Sequence, residues 1–107
     1  RSEPEIPMPP QLADWAAGVE LSRLTPQTTN AARQYVLRYG ELAEHTRHEM
    51  GTTLADTVAS QISPPPPPGT SPPYFLAAVL AERRRRGIAA ATERNDLRRP
   101  QGYQERK

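Results

Sequence analysis

The chain lacks cysteine and has few of the large apolar residues that build a protein core. None of its 107 residues is cysteine, which excludes disulfides and thiolate metal sites. Leu, Ile, Val and Phe together account for 17 of the 107 residues. This share is below the fraction of about 20% that a self-contained core usually requires. The longest apolar run, residues 74–81, is far shorter than the roughly 20 residues of a transmembrane helix. We therefore expect a thin helical protein with a small or incomplete core, apolar stripes covered by a partner, and no membrane span.

Proline, in contrast, is abundant, and five of the 13 prolines are consecutive at 64–68. A proline has no backbone N–H and a fixed φ, so neither a helix nor a central strand can pass through this run. The run favours a stiff polyproline II rod of about 25 Å over eight residues. We expect three parts: a proline-rich N-terminal arm plus helical region at 1–62, a polyproline spacer at 63–73, and a C-terminal helix with a basic tail at 74–107.

Two other roles are open for the proline run. It could pack as a strap against Tyr35 and Tyr39, or it could serve as a ligand for a proline-recognition domain with an aromatic groove. Such ligands usually carry a flanking basic residue, and the nearest ones here, Arg47 and Arg83, are distant. We therefore favour a structural spacer or strap.

The rest of the chain predicts an all-α fold of two to four helices, one of them long. Pro9-Pro10 followed by apolar residues at helical spacing predicts a helix over 10–23. Thr25-Pro26 is a cap followed by a first-turn proline, and it predicts the start of one long helix over 26–62. Gly51 is the candidate position for a break into two helices. Ser71-Pro72 predicts a further helix, with Gly87 as its candidate end.

Apolar residues at three- and four-residue spacing predict the faces that become buried. On the long helix the predicted buried stripe comprises Tyr35, Tyr39, Leu42 and Met50, with Arg38, Glu41, Glu44 and Arg47 exposed. The predicted partner-binding residues are Trp15, Tyr35, Tyr39, Phe75, Leu76 and Val79.

Acidic and histidine side chains alternate in one stretch of the long helix. Glu41 and His45, like Glu44 and His48, are four residues apart, so each pair shares a helix face. Such pairs can bind a metal in helical bundles, but Thr52 stands where the zinc-protease motif needs its second histidine. The sequence also has no nucleophile elbow and no phosphate-binding loop. We expect a solvated charged face, no metal or other cofactor, and no enzymatic activity.

Basic residues concentrate at the C-terminal end. Residues 82–107 hold nine basic and four acidic side chains, whereas residues 1–81 hold five and eight. The predicted site for an anion or an acidic surface comprises Arg83, Arg84, Arg85 and Arg86. Four successive arginines point in all directions around a helix, so they cannot all face one partner. For nucleic-acid binding, only Tyr103 offers an aromatic side chain near the arginines on which a base could stack, and no base-reading motif is present.

These features favour a non-enzymatic structural or interaction subunit that docks along a larger protein partner or in a homo- or hetero-oligomeric assembly. Minor components of virus particles and of multi-subunit complexes offer the analogy. The alternative is a small helical nucleic-acid-associated protein that acts through its arginine-rich end. A third hypothesis is a regulatory module that presents polyproline to a signalling domain. Because the chain begins with Arg1, we also expect a fragment or a processed product.

Overall fold

The computed structural model describes residues 5–98, and their regular structure is helical. The helices are α1 (Ala13–Ala17), α2 (Pro26–Leu37), α3 (Glu44–Ala59) and α4 (Pro72–Arg98), with 3₁₀ turns at Pro10–Leu12 and Tyr39–Glu41. Glu20 and Ser63 form an isolated antiparallel bridge between two loops. The predicted all-α fold is confirmed. The first four residues of the predicted N-terminal arm, Tyr103 and the end of the predicted basic tail lie outside the described residues.

Two helix starts form where the cap and proline signals predict them. Thr25 Oγ1 accepts a hydrogen bond from the Thr28 backbone N–H at 3.1 Å, with Pro26 at the first helical position. This cap satisfies one of the N–H groups that a helix start leaves without a partner. At α4 the Phe75 N–H donates to the Ser71 carbonyl at 3.0 Å, and the helix begins at Pro72.

The predicted helix boundaries are wrong at three places. The first helix ends at Ala17, before Gly18, and not at residue 23, because the following chain turns to pair Glu20 with Ser63. The helix of α4 continues through Gly87, the predicted end, which does not adopt the positive φ of a terminating glycine.

The third difference concerns the long helix predicted over 26–62, which is two helices. The chain leaves the helix after Leu37, and Leu42 and Ala43 are extended, with ψ of 144° and 151°. Arg47 stabilises this break because its Nη2 donates to the Leu42 carbonyl at 2.9 Å. Gly51, the candidate position for a break, lies inside α3.

The break lets α3 fold back on α2, and both helices pack against the first half of α4. The central core consists of Val19, Ala32, Tyr35, Val58, Ile62, Phe75, Leu76, Val79 and Leu80. Tyr35 is buried as predicted, and Tyr39 and Leu42 are half-buried. Met50 is 39% exposed and was predicted wrongly, because the break changes the register between α2 and α3. The apolar faces of the helices therefore cover one another.

The proline segment joins α3 to α4 and turns before it ends. The Ser63–Pro64 peptide bond is cis. Trp15 Nε1 donates to the Pro64 carbonyl at 3.1 Å, so this end contacts α1. At the other end of the segment, Ser71, Pro72 and Pro73 line a groove together with Tyr35 and Tyr39. The Thr70 N–H donates to the Pro67 carbonyl at 3.3 Å across a turn in which Gly69 has φ of +85°. Because the chain turns there, a straight rod cannot run through all eight residues.

The second half of α4 extends beyond the core. Among the α4 residues up to Asn95, whose side chains the structure describes, the buried ones all precede Arg83. A 27-residue helix is about 40 Å long, and the molecule measures 61 × 31 × 25 Å. Its radius of gyration is 16.9 Å, compared with about 13 Å for a compact domain of this length. The molecule is therefore a small helical body with a projecting helix.

Candidate functional site

The projecting half of α4, residues 83–95, is a basic surface. Its side chains are exposed except those of Arg86 and Ala91, which are half-buried. It carries five arginines and one acidic residue, Glu93. We call this segment the basic half-helix. Its charge favours an anionic surface as its ligand.

A buried carboxylate lies immediately before the arginine run. Only 3% of the Glu82 side chain is exposed. Its Oε2 accepts hydrogen bonds from Arg85 Nη2 at 2.7 Å and from Arg86 Nε at 2.6 Å. The hydrogen bonds from Arg85 are the main reason why the pKa of Glu82 lies below its ordinary value, although burial acts in the opposite direction. Glu82 is therefore an anion that fixes two of the four arginines.

Arg86 also links α4 to α1. Its Nη2 donates to the Ala16 carbonyl at 3.0 Å, in the last turn of α1. A cation at a helix C-terminus satisfies carbonyls that have no partner within the helix. Glu82 and Arg86 thus connect the start of the basic half-helix to α1.

The four predicted arginines consequently have different roles. Arg85 and Arg86 bind Glu82, while Arg84 Nη1 lies 3.7 Å from the exposed Glu5 carboxylate. Arg83 is exposed, and among the described residues no ion pair involves it. Glu82 was not among the predicted site residues, although its spacing of three and four residues to Arg85 and Arg86 is typical of helical ion pairs.

Four of the six residues predicted to bind a partner lie in the protein's own core. Tyr35, Phe75, Leu76 and Val79 are each at most 3% exposed. Their predicted partner-binding role is corrected, because α2, α3 and α4 already cover these side chains. The other two are half-buried: Trp15 packs on Phe75 with ring centroids 5.8 Å apart, and Tyr39 packs edge-on against Tyr35 at 5.7 Å.

A groove of about 410 Å³ runs beside the basic half-helix, between the N-terminal arm, α1 and α4. We call it the arm groove. Its apolar lining comprises Ile6, Pro7, Met8, Ala13, Ala17, Ala81 and Ile88, and its charged lining comprises Glu5, Glu82, Arg84 and Arg85. Ile88 is 52% exposed and lies within the basic half-helix. The groove therefore combines an apolar floor with arginines at its edge.

Another groove, of about 700 Å³, lies between α2, α3 and the start of α4. Three of its polar and aromatic side chains contact one another. The Tyr35 hydroxyl donates to the Arg47 carbonyl at 2.9 Å, and the Arg47 guanidinium lies 4.7 Å from the centre of the Tyr39 ring. Burial, with a smaller contribution from Tyr39, raises the pKa of Tyr35. These contacts stabilise the break between α2 and α3.

The histidines of α3 lie on its exposed side. His45 Nε2 is 3.3 Å from Glu49 Oε2, in place of the predicted pairing with Glu41. Within residues 5–98, no group of three acidic or histidine side chains is placed to bind a metal ion. None of the helices described is long and apolar enough to cross a bilayer.

The fold and these surfaces define an all-α protein with a projecting basic helix. Comparison of the chain with protein-family models, with curated protein sequences and with solved structures finds no match.

Proposed function

We propose that this protein is a non-enzymatic interaction subunit whose basic half-helix docks on an acidic surface of a protein partner. The observation that carries the proposal is the division of α4 at Arg83. Before that position α4 belongs to the core, and after it the helix extends with exposed, predominantly basic side chains.

The arrangement suits docking because the body holds the helix in place. A helix as short as residues 83–95 would be only marginally stable in water on its own. Here it continues from the part of α4 that lies in the core, and Arg86 connects it to α1. A preformed helix avoids part of the ordering cost of binding. Arg83 and Arg94 are eleven residues apart, which is close to three full turns, so they share a face about 16 Å long.

Protein is favoured over nucleic acid because the basic half-helix has a reduced net positive charge and carries no aromatic side chain. Glu82 neutralises part of the charge of Arg85 and Arg86, and Glu5 neutralises part of that of Arg84. Specific nucleic-acid binders of this size usually also present aromatic platforms or a base-reading element. The aromatic side chains of the described residues lie in the body or at the start of α4, before the basic half-helix.

A charge-matched pair of variants tests the proposal. Arg83→Ala/Arg94→Ala and Arg23→Ala/Arg38→Ala each remove two exposed arginines, but only the first pair lies on the basic half-helix. The probes are a poly-glutamate peptide of about ten residues, which spans the distance between Arg83 and Arg94, and a DNA duplex of about 20 base pairs.

We expect the first variant to bind poly-glutamate about three- to tenfold more weakly, and the second to bind like the unmodified protein, measured by fluorescence anisotropy at low salt. Equal weakening by both variants would mean that only net charge matters, and the proposal would then be wrong. Tight duplex binding at physiological salt, with a steep salt dependence lost in the first variant, would favour nucleic acid instead.

A further inference from the structure

We propose that the arm groove binds an acidic peptide segment of the partner that also inserts a large apolar side chain. The inference rests on the proposed function and specifies which part of the basic surface makes the selective contact. The apolar side chain would lie against Ile88 and Ala81, and a neighbouring carboxylate would pair with Arg84.

The lining of the groove supports this choice of ligand. Its volume of about 410 Å³ accommodates a large side chain with its adjoining backbone. Ile88 and the methyl groups of Ala13, Ala17 and Ala81 supply an apolar floor. The charged group on that floor, Glu82, is already satisfied by Arg85 and Arg86, so an apolar group placed there leaves no carboxylate unpaired.

Charge complementarity selects an acidic ligand. Arg84 and Arg85 are exposed at the edge of the groove, and Arg83 precedes them. A second copy related by a two-fold axis at this groove would bring its own basic half-helix to this edge, and like charges would repel it. An acidic segment meets no such repulsion.

The protein's own arm shows that this edge accepts a carboxylate beside an apolar side chain. Glu5 lies 3.7 Å from Arg84, and the next residue, Ile6, packs against the core. The Arg84 and Glu5 side chains are 52% and 76% exposed, and an ion pair so exposed is weak. A carboxylate of the partner can therefore compete with Glu5 for Arg84.

The three isoleucines of the chain provide the readout. Ile6 and Ile88 line the groove, whereas Ile62 is 4% exposed in the core and serves as an internal control. The protein, labelled at the isoleucine δ1 methyl groups, is titrated with the capped peptide Glu-Glu-Ile-Leu-Glu-Glu and followed by NMR. The control peptide is Glu-Glu-Ala-Ala-Glu-Glu, which has the same charge.

We expect the first peptide to shift the Ile6 and Ile88 signals in a saturable manner, to leave Ile62 unchanged, and to bind about tenfold more tightly than the control peptide. Equal binding of the two peptides overturns the groove proposal, while a poly-glutamate effect of Arg83→Ala/Arg94→Ala would still support the proposed function. If neither these peptides nor poly-glutamate binds, both proposals are wrong.

Two pairs of variants sharpen the test. Glu5→Gln removes the competing carboxylate and should increase the affinity for the acidic peptide about two- to fivefold. Glu41→Gln removes an equally exposed carboxylate elsewhere, so it should change the affinity only by the small effect of net charge. Ile88→Ser should weaken binding about tenfold, and Met50→Ser, at an exposed apolar position on α3, should not. An unchanged affinity in both Glu5→Gln and Ile88→Ser contradicts the assignment of the groove.

Discussion

Two glycines inside helices should respond in opposite directions to the same substitution. An alanine stabilises an exposed helix interior by about 1 kcal/mol relative to glycine. At Gly87 an added Cβ meets open space, so Gly87→Ala should stabilise the protein by up to about 1 kcal/mol. At Gly51 an added Cβ would lie 2.5 Å from Tyr35 Oη, 3.1 Å from Tyr35 Cζ and 3.3 Å from Pro72 Cβ. The first distance is shorter than real contacts allow.

Gly51→Ala must therefore displace the Tyr35 ring or separate α2 from α3. Overpacking of this kind costs about 1–3 kcal/mol. Displacing the ring also weakens the hydrogen bond from the Tyr35 hydroxyl to the Arg47 carbonyl, which contributes about 1 kcal/mol. After subtracting the gain in helix propensity, we expect a net destabilisation of about 1–3 kcal/mol.

Urea unfolding followed by circular dichroism measures the free energies of unfolding of Gly51→Ala and Gly87→Ala. Combining Gly51→Ala with Tyr35→Phe tests the cause, because removing the hydroxyl removes the closest contact. The double variant should be more stable than the sum of the single effects predicts. If Gly51→Ala and Gly87→Ala stabilise the protein equally, the close approach of α3 to Tyr35 is refuted.

The ion pairs of Glu82, which help to hold α4 against α1, and the hydrogen bond from Trp15 to the proline segment should both contribute to the free energy of unfolding. Glu82→Gln should destabilise the protein by about 1–3 kcal/mol at pH 7, whereas Glu93→Gln, on an exposed position of the same helix, should have little effect. Because the folded-state pKa of Glu82 is lowered, its stabilisation is present above the unfolded-state pKa and is lost as the pH falls through the folded value. The difference between Glu82→Gln and the unmodified protein in urea unfolding should thus shrink between pH 6 and pH 3, and a constant difference would contradict the ion pair. Trp15→Phe removes the hydrogen bond to the Pro64 carbonyl and should lower the free energy of unfolding by about 1–2 kcal/mol, measured by circular dichroism; no change would show that the proline segment does not need this contact.

Local signals predicted the helix starts correctly because they depend on neighbouring residues. The Thr25 cap with Pro26, and Ser71 with Pro72, fix helical geometry within a single turn. The break at 38–43 has only a weak local signal, because it contains Gly40, which is unfavourable in a helix interior, but no proline and no side-chain cap. It exists because α3 packs back on α2 and because Arg47 supplies a donor for the Leu42 carbonyl.

The candidate site was predicted only in its charge. The arginine run is evident in the sequence, but the burial of Glu82 depends on how α4 packs beside α1. The low content of large apolar residues indicated stripes that need a partner. The helices instead bury Phe75, Leu76 and Val79 against each other, since alanines such as Ala78 allow close packing without large side chains.

Amide hydrogen exchange along α4, measured by NMR, tests most directly the claim that one half of this helix belongs to the core and the other half binds a partner. We expect slow exchange at residues 76–82 in the free protein and faster exchange at residues 87–95, which slows when poly-glutamate is added. Fast exchange along the whole helix would mean that the core does not form without a partner. Exchange at residues 87–95 that is unaffected by bound poly-glutamate would place the docking surface elsewhere, and either result would contradict the account.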